Sequence, residues 1–186
     1  MNTIFLIAAG LLLTLVIERA FYISGITAYT YYWTDRRLKG FPNYNMQNQL
    51  FHGKLLTDKS RLVPSPTPHA MNSSCIYNVN NTPIRLKAVV PDGVYWSITF
   101  HGRNQACYFT LNDIAVRNHY GSEVEIVLTK SKRLYQAIGN EIVVEALRFS
   151  PIGLILIRTI VMDPSNPKNI EQAREIQKKA LIEAVA

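Results

Sequence analysis

Six polar and aromatic residues near the middle of the chain carry what chemistry the sequence offers: Tyr95, Trp96, His101, Arg103, Asn112 and Asp113. Rings to stack and groups to hydrogen-bond suit a sugar or a carboxylate ligand. The six fall near the ends of two expected paired strands, so some of them can converge at one sheet edge. A plainer assignment competes, with Trp96 in the core or at its rim, Asn112-Asp113 as a turn, and His101 to Arg103 as a hairpin tip. His119 has the chemistry of a base, but no nucleophile is paired with it, and Asp113 with His119 is a coincidence of spacing until a fold joins them. With no G-x-S-x-G, nucleotide loop or His-rich metal motif, no catalytic residue, metal ligand or cofactor is assigned.

The cysteines are only two, Cys75 and Cys107, without zinc-ligand spacing. Either they form a disulfide in an oxidising compartment or they are two separately buried thiols. His52 and His69 have no matching ligand nearby and read as solvated loop histidines. The formal charge of +7 points to an anionic partner surface. Lipid fits better than nucleic acid, because Arg36, Arg37 and Lys39 directly follow an apolar and aromatic segment and no basic stripe marks a recognition element.

That segment is the most distinctive element. IFLIAAGLLLTLVI over residues 4–17 is shorter than the roughly 20 residues of a full span. After Glu18 and Arg19 it continues as AFYISGITAYTYYW, so a helix over 3–33 reaches roughly 45 Å. A cleaved signal would have a basic start and small residues after the apolar core; here MNT precedes it and Glu-Arg follows, which favours a retained anchor. Tyr29, Tyr31, Tyr32 and Trp33 suit the headgroup level. Glu18 and Arg19 either mark the interface, with the Tyr-rich stretch along the membrane surface, or pair across a contact with another membrane protein. Ser24, Gly25 and Ala28, with Thr27, would permit such close helix packing. The basic excess after the helix places the domain in the cytoplasm by the positive-inside rule, although so short an N-terminus can be translocated.

Residues 1–39 therefore form the anchor and its flank, 40–73 an extended connector ending in Pro64, Pro66 and Pro68, and 74–186 a β-rich domain. Strands are expected at 74–79, 84–90, 95–101, 106–111, 122–129, 141–147 and 154–161, with turns at Pro91-Asp92-Gly93, His101-Gly102-Arg103-Asn104 and Ser150-Pro151-Ile152-Gly153. Val124, Ile126 and Leu128 alternate inward against Glu123 and Glu125. An amphipathic helix over 170–185, capped by Asn169, presents Ile170, Ala173, Ile176, Ala180 and Leu181. The expected class is mainly β, an antiparallel sandwich or jelly-roll-like domain.

Two stretches, VVPDGVYWSITF at 89–100 and CYFTLND at 107–113, together with VVEA at 143–146 and IVMDP at 160–164, resemble the bacterial domain of unknown function 1254 family, in its short membrane-anchored form. The resemblance covers about residues 75–164 and a similar N-terminal helix. It implies a β-rich domain on the outer, periplasmic side of the bacterial inner membrane, and no chemistry. Relatives commonly carry an acidic residue after Phe100, where this chain has His101-Gly102-Arg103.

These readings favour a single-pass accessory or scaffolding subunit of an inner-membrane protein complex, with complex subunits and anionic lipid as partners and no nucleic acid. The alternative is an envelope enzyme or a carbohydrate- or small-ligand-binding domain.

Overall fold

A computed structural model describes residues 3–40, 45–57, 67–104, 106–147 and 150–185. Helix α1 spans Thr3–Lys39, past the expected end near Trp33. Arg36, Arg37, Leu38 and Lys39 are good helix formers, basic residues suit a helix C-terminus, and Gly40 stops the run. Inside α1 the Thr14, Thr27 and Thr30 hydroxyls donate to the carbonyls of Gly10, Ile23 and Thr27 at 2.8–2.9 Å. Such back-bonding satisfies hydroxyls without water.

The remaining elements are β1 (Phe51–Leu55), β2 (Ala70–Asn78), β3 (Ile84–Val89), β4 (Trp96–Gly102), β5 (Cys107–Asn112), α2 (Asp113–His119), β6 (Glu123–Thr129), β7 (Ile142–Glu145), β8 (Ile152–Ile160), α3 (Pro167–Lys178) and β9 (Leu181–Ala184). One sheet has the order β1-β2-β8-β4-β5 and the other β7-β6-β3-β9. The class is mainly β. The second sheet is mixed rather than wholly antiparallel, because β6 and β7 run parallel, Ile126 opposite Ile142.

All seven expected strands are present with shifted ends, and two more join them. Strand β1 lies inside the stretch expected as connector, and β2 begins at Ala70, so the sheet starts well before residue 74. A glycine at the centre of FHGKL weakens the strand signal. Of the three prolines, Pro64 and Pro66 lie outside the described residues. The C-terminal helix is also corrected. Asn166, not Asn169, caps α3 by accepting from the Lys168 N–H at 3.0 Å, with Pro167 starting the first turn. The helix stops at Lys178, and Leu181–Ala184 leaves it to pair with β3. An open sheet edge outweighs the helical spacing of Ala180 and Leu181.

One hydrophobic cluster joins the inner faces of the two sheets, which makes the domain a sandwich. Cys75, Tyr77, Ile98, Phe100, Ile155 and Ile157 come from the first sheet, and Ile84, Leu86, Val124, Ile126, Leu128 and Val144 from the second. Val124, Ile126 and Leu128 point inward as the alternation requires. Each such side chain contributes about 1.5–3 kcal/mol. A second cluster of Met71, Val161 and Ala173, flanked by Leu55 and Ile170, seats α3.

Tyr77 requires the closest packing in the core. Its hydroxyl donates to the His101 carbonyl at 3.3 Å and accepts from Tyr108 at 3.0 Å. Gly153 lies opposite Gly102 across β8 and β4, and a Cβ at Gly153 would overlap both the His101 oxygen and the Tyr77 hydroxyl. Burial pushes the Tyr77 phenol up to about 12, against the hydrogen bond from Tyr108.

The cysteines are both free: Cys75 is buried and Cys107 exposed. Two strands separate them, and past an irregularity in the β4–β5 pairing Cys107 lies opposite His101 and is exposed, so neither a disulfide nor a second buried thiol results. Burial raises the Cys75 thiol to about 12. His52 is part of β1 rather than a loop, with Nδ1 2.9 Å from Ser73 Oγ, and burial lowers its pKa.

Candidate functional site

The six residues singled out by sequence do not meet. Tyr95 and Trp96 stand at the start of β4, beside Asn112 and Asp113 at the end of β5. His101 and Arg103 stand at the far end of the hairpin, about 17 Å away at strand rise. Trp96 is 1% exposed and belongs to the core. Asn112 and Asp113 do not form a turn: the Asn112 Oδ1 caps α2 by accepting from the Ala115 N–H at 2.8 Å, and Asp113 opens that helix. His119 closes α2. His101 Nε2 is 3.0 Å from Thr99 Oγ1.

Arg103 has a partner in a different element. Its Nε donates to Asp35 Oδ1 of α1 at 2.9 Å, its Nη2 to Asp35 Oδ2, and its guanidinium lies 5.7 Å from the Tyr31 ring centre. Thr34 and Leu38 are buried in the same segment. The end of α1 is thus clamped to the β4–β5 hairpin. Above it Ile7, Leu11 to Leu13, Phe21, Ile23 and Trp33 are exposed, as are Glu18, Arg19, Ser24, Gly25 and Ala28. Residues Ala9–Arg36 are long and apolar enough to cross a membrane.

The outer face of the first sheet brings together a different set. Arg158 lies on β8, the central strand, with Asn72 of β2 on one side and Ser97 of β4 on the other, and Asn112 of β5 beyond Ser97. Tyr95 precedes Ser97 by two residues, falls on the same face by alternation, and is 49% exposed. The Tyr95 carbonyl accepts from the Ile160 N–H at 3.0 Å, which extends the ladder to it. Two of the six sequence candidates, Tyr95 and Asn112, therefore flank Arg158. The signal for Arg158 is in the sequence, as the single charge inside LILIRTIV.

The outer face of the second sheet carries an ion-pair network instead. Arg85 donates to Glu141 Oε1 at 2.6 and 3.0 Å, Tyr135 donates to Glu141 Oε2 at 2.7 Å, and Lys87 lies 3.2 Å from Glu125 and 3.0 Å from Glu183. Burial raises the Glu141 carboxyl, but hydrogen bonds from Tyr135, the Ile138 N–H and Arg85 outweigh it and hold the pKa below its usual value.

With an exposed N-terminal helix clamped to a two-sheet sandwich, the class is that of a β domain on an apolar helix. The profile of the family described as "Protein of unknown function (DUF1254)" matches residues 47–184, and the chain belongs to that family. The crystal structure of the VPA0106 protein from Vibrio parahaemolyticus is similar in fold, with a TM-score of 0.60 and 14% identity over 86% of this chain and 37% of that one. A putative uncharacterized protein from Burkholderia cenocepacia gives a TM-score of 0.48 and 13% identity over 67% of this chain. This chain spans 37% and 34% of the lengths of those two proteins. No match was found among curated proteins.

Proposed function

We propose that the chain is a single-pass accessory or scaffolding subunit of a bacterial inner-membrane protein complex, with its sandwich on the periplasmic side. The observation that carries this reading is the contrast along α1. The large apolar side chains described from Ile7 to Tyr29 are exposed, Tyr31 is half-buried beside Arg103, and full burial against the protein begins at Thr34. So much apolar surface needs lipid or a neighbouring helix to cover it.

Glu18 and Arg19 interrupt the span where an unpaired charge costs about 2.5–3.5 kcal/mol at the bilayer centre. Ser24, Gly25 and Ala28 lie within three turns of them, and a Cβ at Gly25 would meet no atom within 4 Å, so a partner helix has room to approach. The clamp between Asp35 and Arg103 supports a scaffolding role, because it fixes how the sandwich is held relative to the anchor. Arg36, 3.3 Å from the Tyr32 hydroxyl and 5.8 Å from the Trp33 ring centre, suits an anionic headgroup layer. The periplasmic placement rests on the family resemblance.

Purification of the full chain from membranes in mild detergent tests the proposal. The expected result is co-migration with a stable membrane partner that crosslinks to positions beside Gly25. Migration as a single copy with no partner would overturn it.

A further inference from the structure

We propose that the outer face of the first sheet binds a small carboxylate-bearing molecule through Arg158, a site separate from the anchor and independent of the subunit reading. The starting point is an arginine without a counter-charge. Arg158 is half-buried on the central strand, and no carboxylate pairs with it among the described residues. Its Nε is buried and has no hydrogen-bond partner. A guanidinium drawn against a sheet in this way loses hydration that is ordinarily repaid by an anion.

The neighbours narrow the anion. Asn72, opposite Arg158 on β2, has a buried Oδ1 that also lacks a partner. A water between the two would satisfy both hydrogen bonds yet leave the charge uncompensated. A ligand bearing a carboxylate beside a hydroxyl meets both needs once the two side chains turn outward to it, since the carboxylate accepts from the guanidinium and the hydroxyl donates to the amide. Ser97, Asn112 and Asn72 are neutral, so the row supplies one positive charge. That matches a carboxylate better than a phosphate, which carries about −1.5 to −2. Asn112 spends its Oδ1 on capping α2, which leaves its NH2 group as a donor. Leu156 and Ile160 flank Arg158 on the same face and strengthen the ion pair by lowering the local dielectric, and Tyr95 offers a half-exposed ring to the body of the ligand.

The test uses the full chain in detergent, titrated with galacturonate, acetate, galactose and inorganic phosphate at constant ionic strength up to ~50 mM, a range suited to the weak, about millimolar binding expected of a shallow face. Binding is read from the thermal midpoint and from the Arg158 Nε–H resonance. Both should shift with galacturonate, less with acetate, and not with galactose. Arg158→Gln should abolish the thermal response, Tyr95→Ala should weaken the galacturonate response several-fold, and Arg174→Gln on α3 should leave it unchanged. No shift with either carboxylate would overturn the proposal, as would an undiminished response in Arg158→Gln. An equal response to phosphate would overturn the carboxylate assignment. If Arg158→Gln does not fold, the wild-type Nε–H resonance decides alone: a shift with the carboxylates supports the site, and its absence refutes it.

Discussion

At the scale of single residues, Gly153 shows how tightly one contact can be specified. Its missing side chain is what lets the Tyr77 hydroxyl reach the His101 carbonyl. Gly153→Ala should cost about 2–3 kcal/mol, because the obstacle is backbone and a buried ring rather than a flexible side chain. Denaturant unfolding should record a lower midpoint with unchanged slope. Nothing in the sequence reveals that constraint: Gly153 reads as a turn glycine after Pro151, and its real role appears only when β8 pairs with β4. Trp96 reads from the sequence either as a site residue or as core or rim, and its place in the core beside Ile98 and Phe100 is given by the fold. Arg158 was visible as a lone charge in an apolar run, but the face it occupies depends on strand partners more than 50 residues away. The six sequence candidates separate for a related reason, since spacing along a hairpin does not say which of its two ends a residue belongs to.

Among the elements, α1 was the most legible and its far end the least. Apolar composition announces a helix that needs lipid, but only the fold shows that Asp35 meets Arg103. Arg103→Ala should release that joint. The pair is about one-third exposed, so its contribution to global stability is small, of the order expected for surface ion pairs, below about 1 kcal/mol. The larger effect should be mechanical. Spin labels on α1 and on the second sheet should give a broader distance distribution in Arg103→Ala than in the wild type, with little change in thermal midpoint. An unchanged distribution would show that Thr34 and Leu38 hold the joint without the ion pair. Strand β9 is not legible in the sequence, because four residues at helical spacing carry no strand signature of their own; what makes them a strand is the vacant side of β3.

For the molecule as a whole, the network on the second sheet links stability to pH. The Glu141 side chain is 2% exposed and its folded pKa lies below the ordinary 4.5. A carboxylate with a depressed folded pKa contributes stability that is fully present above its unfolded value and is lost as pH falls through the folded one. The sandwich should therefore weaken progressively below about pH 4.5. Glu141→Gln should be less stable at neutral pH and show a flatter decline in that acid range. Parallel acid titrations of the two proteins would fail to support this if their slopes coincided. Composition alone predicted a basic surface but not this network, since Glu141 precedes β7 and reaches Arg85 only because β6 lies between β7 and β3.

The pairing of β3 with β9 carries a consequence for how the protein is made. Ile84 and Ala184 are opposite each other but 100 positions apart in the chain. Contacts of such long range form slowly, because a large loop must close before they are gained. During synthesis β3 can pair with β6 while its other edge still offers unbonded N–H and C=O groups to any passing strand. Arg85 and Lys87 alternate along that edge, and like charges repel a second copy of the same strand. The pair, already beside Glu125 of β6 and met by Glu183 only when β9 arrives, thus also guards the open edge of the nascent sheet.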